Sequence, residues 1–184
     1  MKRVIFLVLI FTFTFSSIAW GLKIGGKILP DNMNAGENKL MLNGAGLRKK
    51  VVIKVYACAL YLTEKEQDAN SIITADESMS VKMHFIYKAV DPAKLIEAWN
   101  TGFSKSDISN LQEEIETFNS YFSKDAVKDD IYDITYIPDV GTSVYMNNEL
   151  KGTIPGLEFK KAVFSIWLGE QTELPKLKKA MLGM

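Results

Sequence analysis

The sequence predicts an α+β domain in which a large, mainly antiparallel sheet carries a layer of helices. Three observations lead there. Segments with strand periodicity cluster between residues 22 and 88 and return over 131–154. Segments with helical periodicity lie between and after them. Their order does not repeat the strand-helix-strand alternation of a parallel doubly wound sheet. At 184 residues, 47% hydrophobic and 24% charged, the chain has the size and balance of one globular domain.

Val51 to Leu62 is an almost unbroken apolar run interrupted by Lys54, rich in β-branched and aromatic residues, and reads as a strand covered on both faces. Val81, Met83, Phe85 and Tyr87 alternate with Ser80, Lys82, His84 and Ile86, which is the period of a half-buried strand and puts His84 on its more polar face. Asp91-Pro92 opens a helix, because aspartate accepts from a free first-turn amide and proline has no amide to leave unpaired. Leu95, Ile96, Trp99 and Phe103 follow at helical spacing. A second helix is expected over 109–122, with Leu111, Ile115, Phe118 and Phe122 as its stripe and Ser109 with Gln112 as a capping box. Glu113, Glu114 and Glu116 fall largely off that stripe and read as a solvated face.

Strands at 131–137, 142–146 and 149–154 come next, the last two joined at Asn147-Asn148, a pair that tolerates the positive φ of a tight hairpin. Two closing helices end before Gly169 and Gly183.

The charge count excludes several classes of function. With 22 basic and 22 acidic residues there is no basic field for nucleic acid. A single histidine, His84, and a single cysteine, Cys58, are too few for a His/Cys zinc site, a CxxC pair or an internal disulfide. Cys58 lies in the apolar run and reads as a buried core residue. No metal or cofactor is implied.

At the N-terminus Lys2 and Arg3 precede an uncharged run from Val4 to Phe15, then the small residues Ser16, Ser17 and Ala19. This is the pattern of a secretory signal peptide, residues 1–19, with cleavage after Ala19 and a domain over 20–184. The apolar run is shorter than the roughly 20 residues that span a bilayer, so no stable membrane anchor is expected after cleavage. The mature chain would hold 20 basic and 22 acidic side chains, a net charge of −2.

Asn43-Gly44-Ala45-Gly46-Leu47-Arg48 is the most unusual local sequence and reads as a glycine-flanked turn delivering Arg48 into the long strand. No helix follows whose amides could cradle a phosphate. Arg48, Lys54, Tyr56, Cys58 and Leu60 share one parity, hence one face of a regular strand. Arginine offers a planar fork to a carboxylate or enolate, tyrosine a hydroxyl donor, and the aliphatic residues a dry wall. That mixture suits a small amphipathic organic acid. A straight strand at roughly 3.3 Å per residue puts Arg48 and Tyr56 about 26 Å apart, so a shared ligand requires a bend or a long ligand.

Gly44-Ala45-Gly46-Leu47-Arg48, the stretch Ile53 to Leu62, Lys151-Gly152-Thr153-Ile154-Pro155-Gly156, and the stretch Phe159 to Gly169 together resemble the chalcone isomerase superfamily, and within it the exported bacterial chalcone isomerase-like branch. The resemblance implies an open-faced β-sandwich, a large antiparallel sheet with a layer of helices, and a periplasmic location. It also implies one of two functions. The plant enzymes cyclise chalcones with an arginine stabilising the phenolate and the developing enolate, while other members bind fatty acids without that activity. Arg48 matches the family arginine. Tyr56 stands where the enzymes carry a threonine. Pro92 and Trp99 stand where they carry a tyrosine and an asparagine, and a late serine or threonine is matched loosely by Ser165. Each lost donor at a site of developing negative charge costs about 10²–10³ in rate. The expectation is a noncatalytic binder of a small amphipathic acid such as a fatty acid, with Arg48, Tyr56, Lys54 and Trp99 as ligand-binding residues. The alternative is an isomerase or intramolecular lyase with Arg48 and Tyr56 catalytic.

Overall fold

The computed structural model describes residues 21–184; the signal-peptide reading of residues 1–19 lies outside the described residues. In chain order the elements are β1 (Gly21–Ile24), β2 (Lys27–Pro30), β3 (Asn32–Ala35), β4 (Asn38–Lys50), β5 (Ile53–Leu62), α1 (Ala69–Thr74), β6 (Met79–Phe85), β7 (Ala89–Val90), α2 (Pro92–Phe103), α3 (Gln112–Ser120), β8 (Ala126–Val127), β9 (Ile131–Ile137), β10 (Gly141–Met146), β11 (Glu149–Ile154), α4 (Leu157–Leu168) and α5 (Pro175–Met181). Seven strands form one sheet in the order β11-β10-β9-β6-β5-β4-β3, and every neighbouring pair is antiparallel. The pairs β1-β2 and β7-β8 stand apart from it. The α+β class expected from the sequence is the class observed.

The alternation of β6 divides the two faces. Val81, Met83 and Phe85 are fully buried toward the helices, in a core with Cys58, Leu60, Ile134, Trp99, Phe118 and Trp167. The opposite face is also covered. Ala57, Ala59 and Tyr61 of β5 pack with Leu29 of β2, Ala35 and Leu40 in a second, smaller core. His84 lies half-buried on this side, across from Ala57 and Ile131, with its imidazole pKa pushed down by burial and then by Lys27. Lys82 pairs with the buried Asp133 at 2.6 Å, which gives that carboxylate a charged partner.

The helix boundaries follow local chemistry. Asp91 accepts from the Ala93 amide at 2.9 Å and Pro92 follows it, as expected. The second helix starts later than expected. The Asp107 carboxylate captures both the amide and the hydroxyl of Ser109 at 3.1 and 2.8 Å, so Ser109 is spent on a turn and caps nothing. Helix α3 begins at Gln112 with no side-chain cap, and Gln112 bonds Glu116 at 3.0 Å. Asn147 and Asn148 adopt φ of 53° and 68°, the hairpin the sequence predicts.

The largest departure is in the long apolar run. Residues 48–62 are not one strand but the two arms of a hairpin, with Lys50 paired to Ile53 and only Val51 and Val52 left to turn the chain. Gly44-Ala45-Gly46 is correspondingly no turn. It lies inside β4, where a Cβ on Gly46 would stand 2.8 Å from the Ala180 Cβ of α5. The glycines are there because a helix crosses the strand at close range.

Candidate functional site

The hairpin decides the site's geometry. Arg48 and Tyr56 face each other directly across β4 and β5, so their side chains leave the sheet on the same side as near neighbours. The separation of a straight strand does not arise. Both line a cavity of about 710 Å³ between the hairpin, the segment Tyr87 to Val90, and one flank of α2. This volume falls within the range of small-molecule pockets. Val55, Val90, Leu95, Trp99, Ile166 and Leu174 supply its apolar wall.

Tyr56 is 5% exposed, with its ring edge-on to Phe85 at 5.5 Å. Its hydroxyl oxygen accepts from Trp167 Nε1 at 3.4 Å, and its own proton has no acceptor among the described residues. Burial, reinforced by Cys58, pushes its pKa above the ordinary phenol value despite Arg48 and Trp167 acting the other way. The group is therefore a neutral hydrogen-bond donor at physiological pH. Arg48 is half-buried at the cavity wall, its Nη1 donating to the Lys49 carbonyl. That bond uses one of five N–H donors. Trp99 is 2% exposed, and its Nε1 has no hydrogen-bond partner among the described residues. A buried indole N–H ordinarily finds one.

Of the four residues singled out from the sequence, the structure gathers Arg48, Tyr56 and Trp99 around one cavity. Lys54 is not among its walls. It is exposed near the hairpin tip, cross-strand from Lys49, because Val55 is an extra residue on β5 between the pairs Arg48–Tyr56 and Lys49–Lys54 and shifts the pairing. Ser165 is also elsewhere, donating to the Lys161 carbonyl within α4 at 2.7 Å. Cys58 is fully buried behind the site with its thiol pKa raised by burial, an unreactive core residue. Trp167 was not legible as a site residue. Its position on α4 marks it as core, and only the packing of α4 on β5 shows that its N–H reaches Tyr56.

The chalcone isomerase-like family profile matches residues 21–183, nearly all of the chain. The chain belongs to the chalcone isomerase-like family. Comparison with curated proteins found no match. Among solved structures, this chalcone isomerase-like chain is similar to the crystal structure of a fatty-acid binding protein from Arabidopsis thaliana. The TM-score is 0.70 at 18% identity, covering 85% of this chain and 92% of that one. At that identity the likeness establishes the shared fold, and it agrees with the open-faced sandwich expected from the sequence.

Proposed function

We propose that this protein is an exported, noncatalytic binder of a small amphipathic acid such as a fatty acid, with the carboxylate held by Arg48 and Tyr56. The observation that carries the reading is the direct cross-strand pairing of these two residues at the wall of an apolar cavity. A guanidinium and a neutral phenol side by side offer a carboxylate one charged fork and one donated hydrogen bond. The dry wall of Val55, Leu95, Trp99 and Ile166 takes the aliphatic part. A structural relative that binds fatty acids supports the same assignment. The enzymes' donors on the helix after the middle strand are replaced here by Pro92 and Trp99, which favours holding an anion over stabilising one that develops.

The test is a calorimetric titration of the protein with fatty acids of increasing chain length, beside Arg48→Ala and Tyr56→Phe. Charge-assisted hydrogen bonds contribute about 1.5–3 kcal/mol, so Arg48→Ala is expected to weaken binding about 10- to 100-fold and Tyr56→Phe by less. Unchanged affinity in Arg48→Ala for every acid that binds would overturn the site. Saturable, Arg48-dependent turnover of a chalcone would replace the binder with an isomerase.

A further inference from the structure

The hairpin that carries Arg48 and Tyr56 runs past the sheet. Strand β6 ends at Phe85, opposite Tyr56, and only Val55 among the residues before it meets the following segment, through the amides of Ile86 and Tyr87. From Lys49 to Lys54 the two arms pair with each other alone, so the tip is a free two-stranded ribbon. At its end Val51 and Val52 are 90% and 85% exposed, and Ile53 is 44% exposed. Val51 has φ of 57°. A turn of this kind takes glycine at such a position, and a β-branched residue there is strained. A sequence selected only for folding would carry Asn or Gly here; this one carries two aliphatic side chains aimed into water.

The charge around them is one-sided. Arg48, Lys49, Lys50 and Lys54 flank the valines, no carboxylate lies between residues 48 and 54, and none of the four forms an ion pair among the described residues. The tip is also one lip of the cavity, since Lys50 and Ile53 line the mouth. The other lip carries Asp91, Glu97, Asp125 and Glu173 with one lysine, Lys94, among them. The mouth is therefore polarised, basic and aliphatic on one side and net acidic on the other.

We propose that the Val51-Val52 tip docks the cavity mouth on an anionic lipid surface. Aliphatic side chains at a convex point, ringed by lysines, match the boundary between acyl chains and negative head groups. A convex tip has no groove with which to enclose a peptide. An anionic surface attracts the basic lip and repels the acidic one, so the tip leads the approach. Contact is peripheral: no described helix is long and apolar enough to cross a membrane. That the docking serves to load or unload the cavity rests on the acid-binding reading above; the docking itself does not.

The test uses the full chain and its buried cysteine. Cys58 is fully buried, so a polarity-sensitive thiol dye reacts with Val52→Cys, and in a second protein with Val140→Cys, a 54% exposed residue at the opposite end of the sheet. Each is mixed with vesicles of phosphatidylcholine alone or with phosphatidylglycerol. The expected result is a blue shift at Val52 and none at Val140, with anionic vesicles only, reversed by high salt. Val51→Asp with Val52→Asp, in unlabelled protein, is expected to lower vesicle affinity roughly tenfold and to leave affinity for dodecanoate in vesicle-free buffer unchanged. A Val52 label that stays in water overturns the proposal, including when the chain sediments with vesicles through its apolar residues 4–15. So does a shift at both positions, or one that appears without vesicles as protein concentration rises, which reports a second copy of the chain. Dodecanoate titration of the wild type fails or succeeds separately and bears on the ligand alone.

Discussion

Lys160 is the residue at which sequence and environment disagree most. It is fully buried in α4, and its Nζ donates to the carbonyls of Ile72, Ile73 and Ala75 at 2.8, 2.8 and 2.7 Å, closing the C-terminal end of α1. The rings of Tyr136 and Phe164 stand 5.7 and 5.8 Å away. An ammonium has three donors and a neutral amine two, so the arrangement is built for the charged form. Burial nevertheless lowers the lysine pKa from 10.5 to about 8, against the attraction of Asp76. Below about pH 8 both folded and unfolded chains carry the proton and the burial cost is fully present. Between about 8 and 10.5 the unfolded chain binds more protons, and stability rises with pH. Tyr132 and Tyr136, pushed up to about 12 by burial, act oppositely once free phenols titrate above pH 10. The Cys58 thiol, raised by burial, acts in the same direction as the phenols from about pH 9, so the contribution of Lys160 is read over pH 8 to 10 as a difference in which Cys58 cancels. Urea unfolding of the wild type and of Lys160→Met across that window is expected to show the wild type gaining on the variant as pH rises. A constant difference would mean that Lys160 titrates as an ordinary lysine. At pH 7 the variant should be less stable by about 3 kcal/mol, because three carbonyls lose their donor.

At the scale of elements, glycine and valine exchange the places that simple rules give them. Gly44 and Gly46 look like a turn and are strand, while Val51 and Val52 look like strand and are the turn. Turn chemistry could not reveal this, because glycine in a strand signals either a bend or a close neighbour, and the neighbour here is α5, more than a hundred residues later in sequence. Asn147-Asn148 was legible because its residue types suit its φ values. The strained tip makes a prediction of opposite sign to most substitutions. A left-handed conformation costs a non-glycine residue roughly 1–2 kcal/mol, and glycine gives back about 0.5–1 through the entropy of the unfolded chain. Val51→Gly should raise stability by about 0.5–1 kcal/mol, read as a higher denaturant midpoint at unchanged slope. A loss of stability would show that Val51 is held by packing, against its 90% exposure.

For the whole molecule, periodicity gave the element types and the α+β class, because alternation in β6 and the stripe of α2 each answer to a single packed face. It could not give the reversal between β4 and β5, and so it placed Arg48 and Tyr56 on the right side of the sheet at the wrong separation. The site is a tertiary object in the same sense: β4 and β5 bring the polar pair, α2 brings Leu95 and Trp99, and α4 brings Ile166 to the wall and Trp167 to the Tyr56 hydroxyl. A ligand touching all of these elements binds the folded state alone and stabilises it by mass action. At one hundred times its dissociation constant an acid adds about 2.7 kcal/mol, which for a domain of this size is about 5–10 °C in Tm. If Arg48→Ala binds about 30-fold more weakly, the same concentration adds about 0.9 kcal/mol, or about 2–3 °C. Melting both proteins with and without dodecanoate separates the two cases without assuming where the acyl chain lies. Equal shifts would place the carboxylate away from Arg48 and require another anchor on the cavity wall, for which the unpartnered Trp99 indole N–H is the first group to replace.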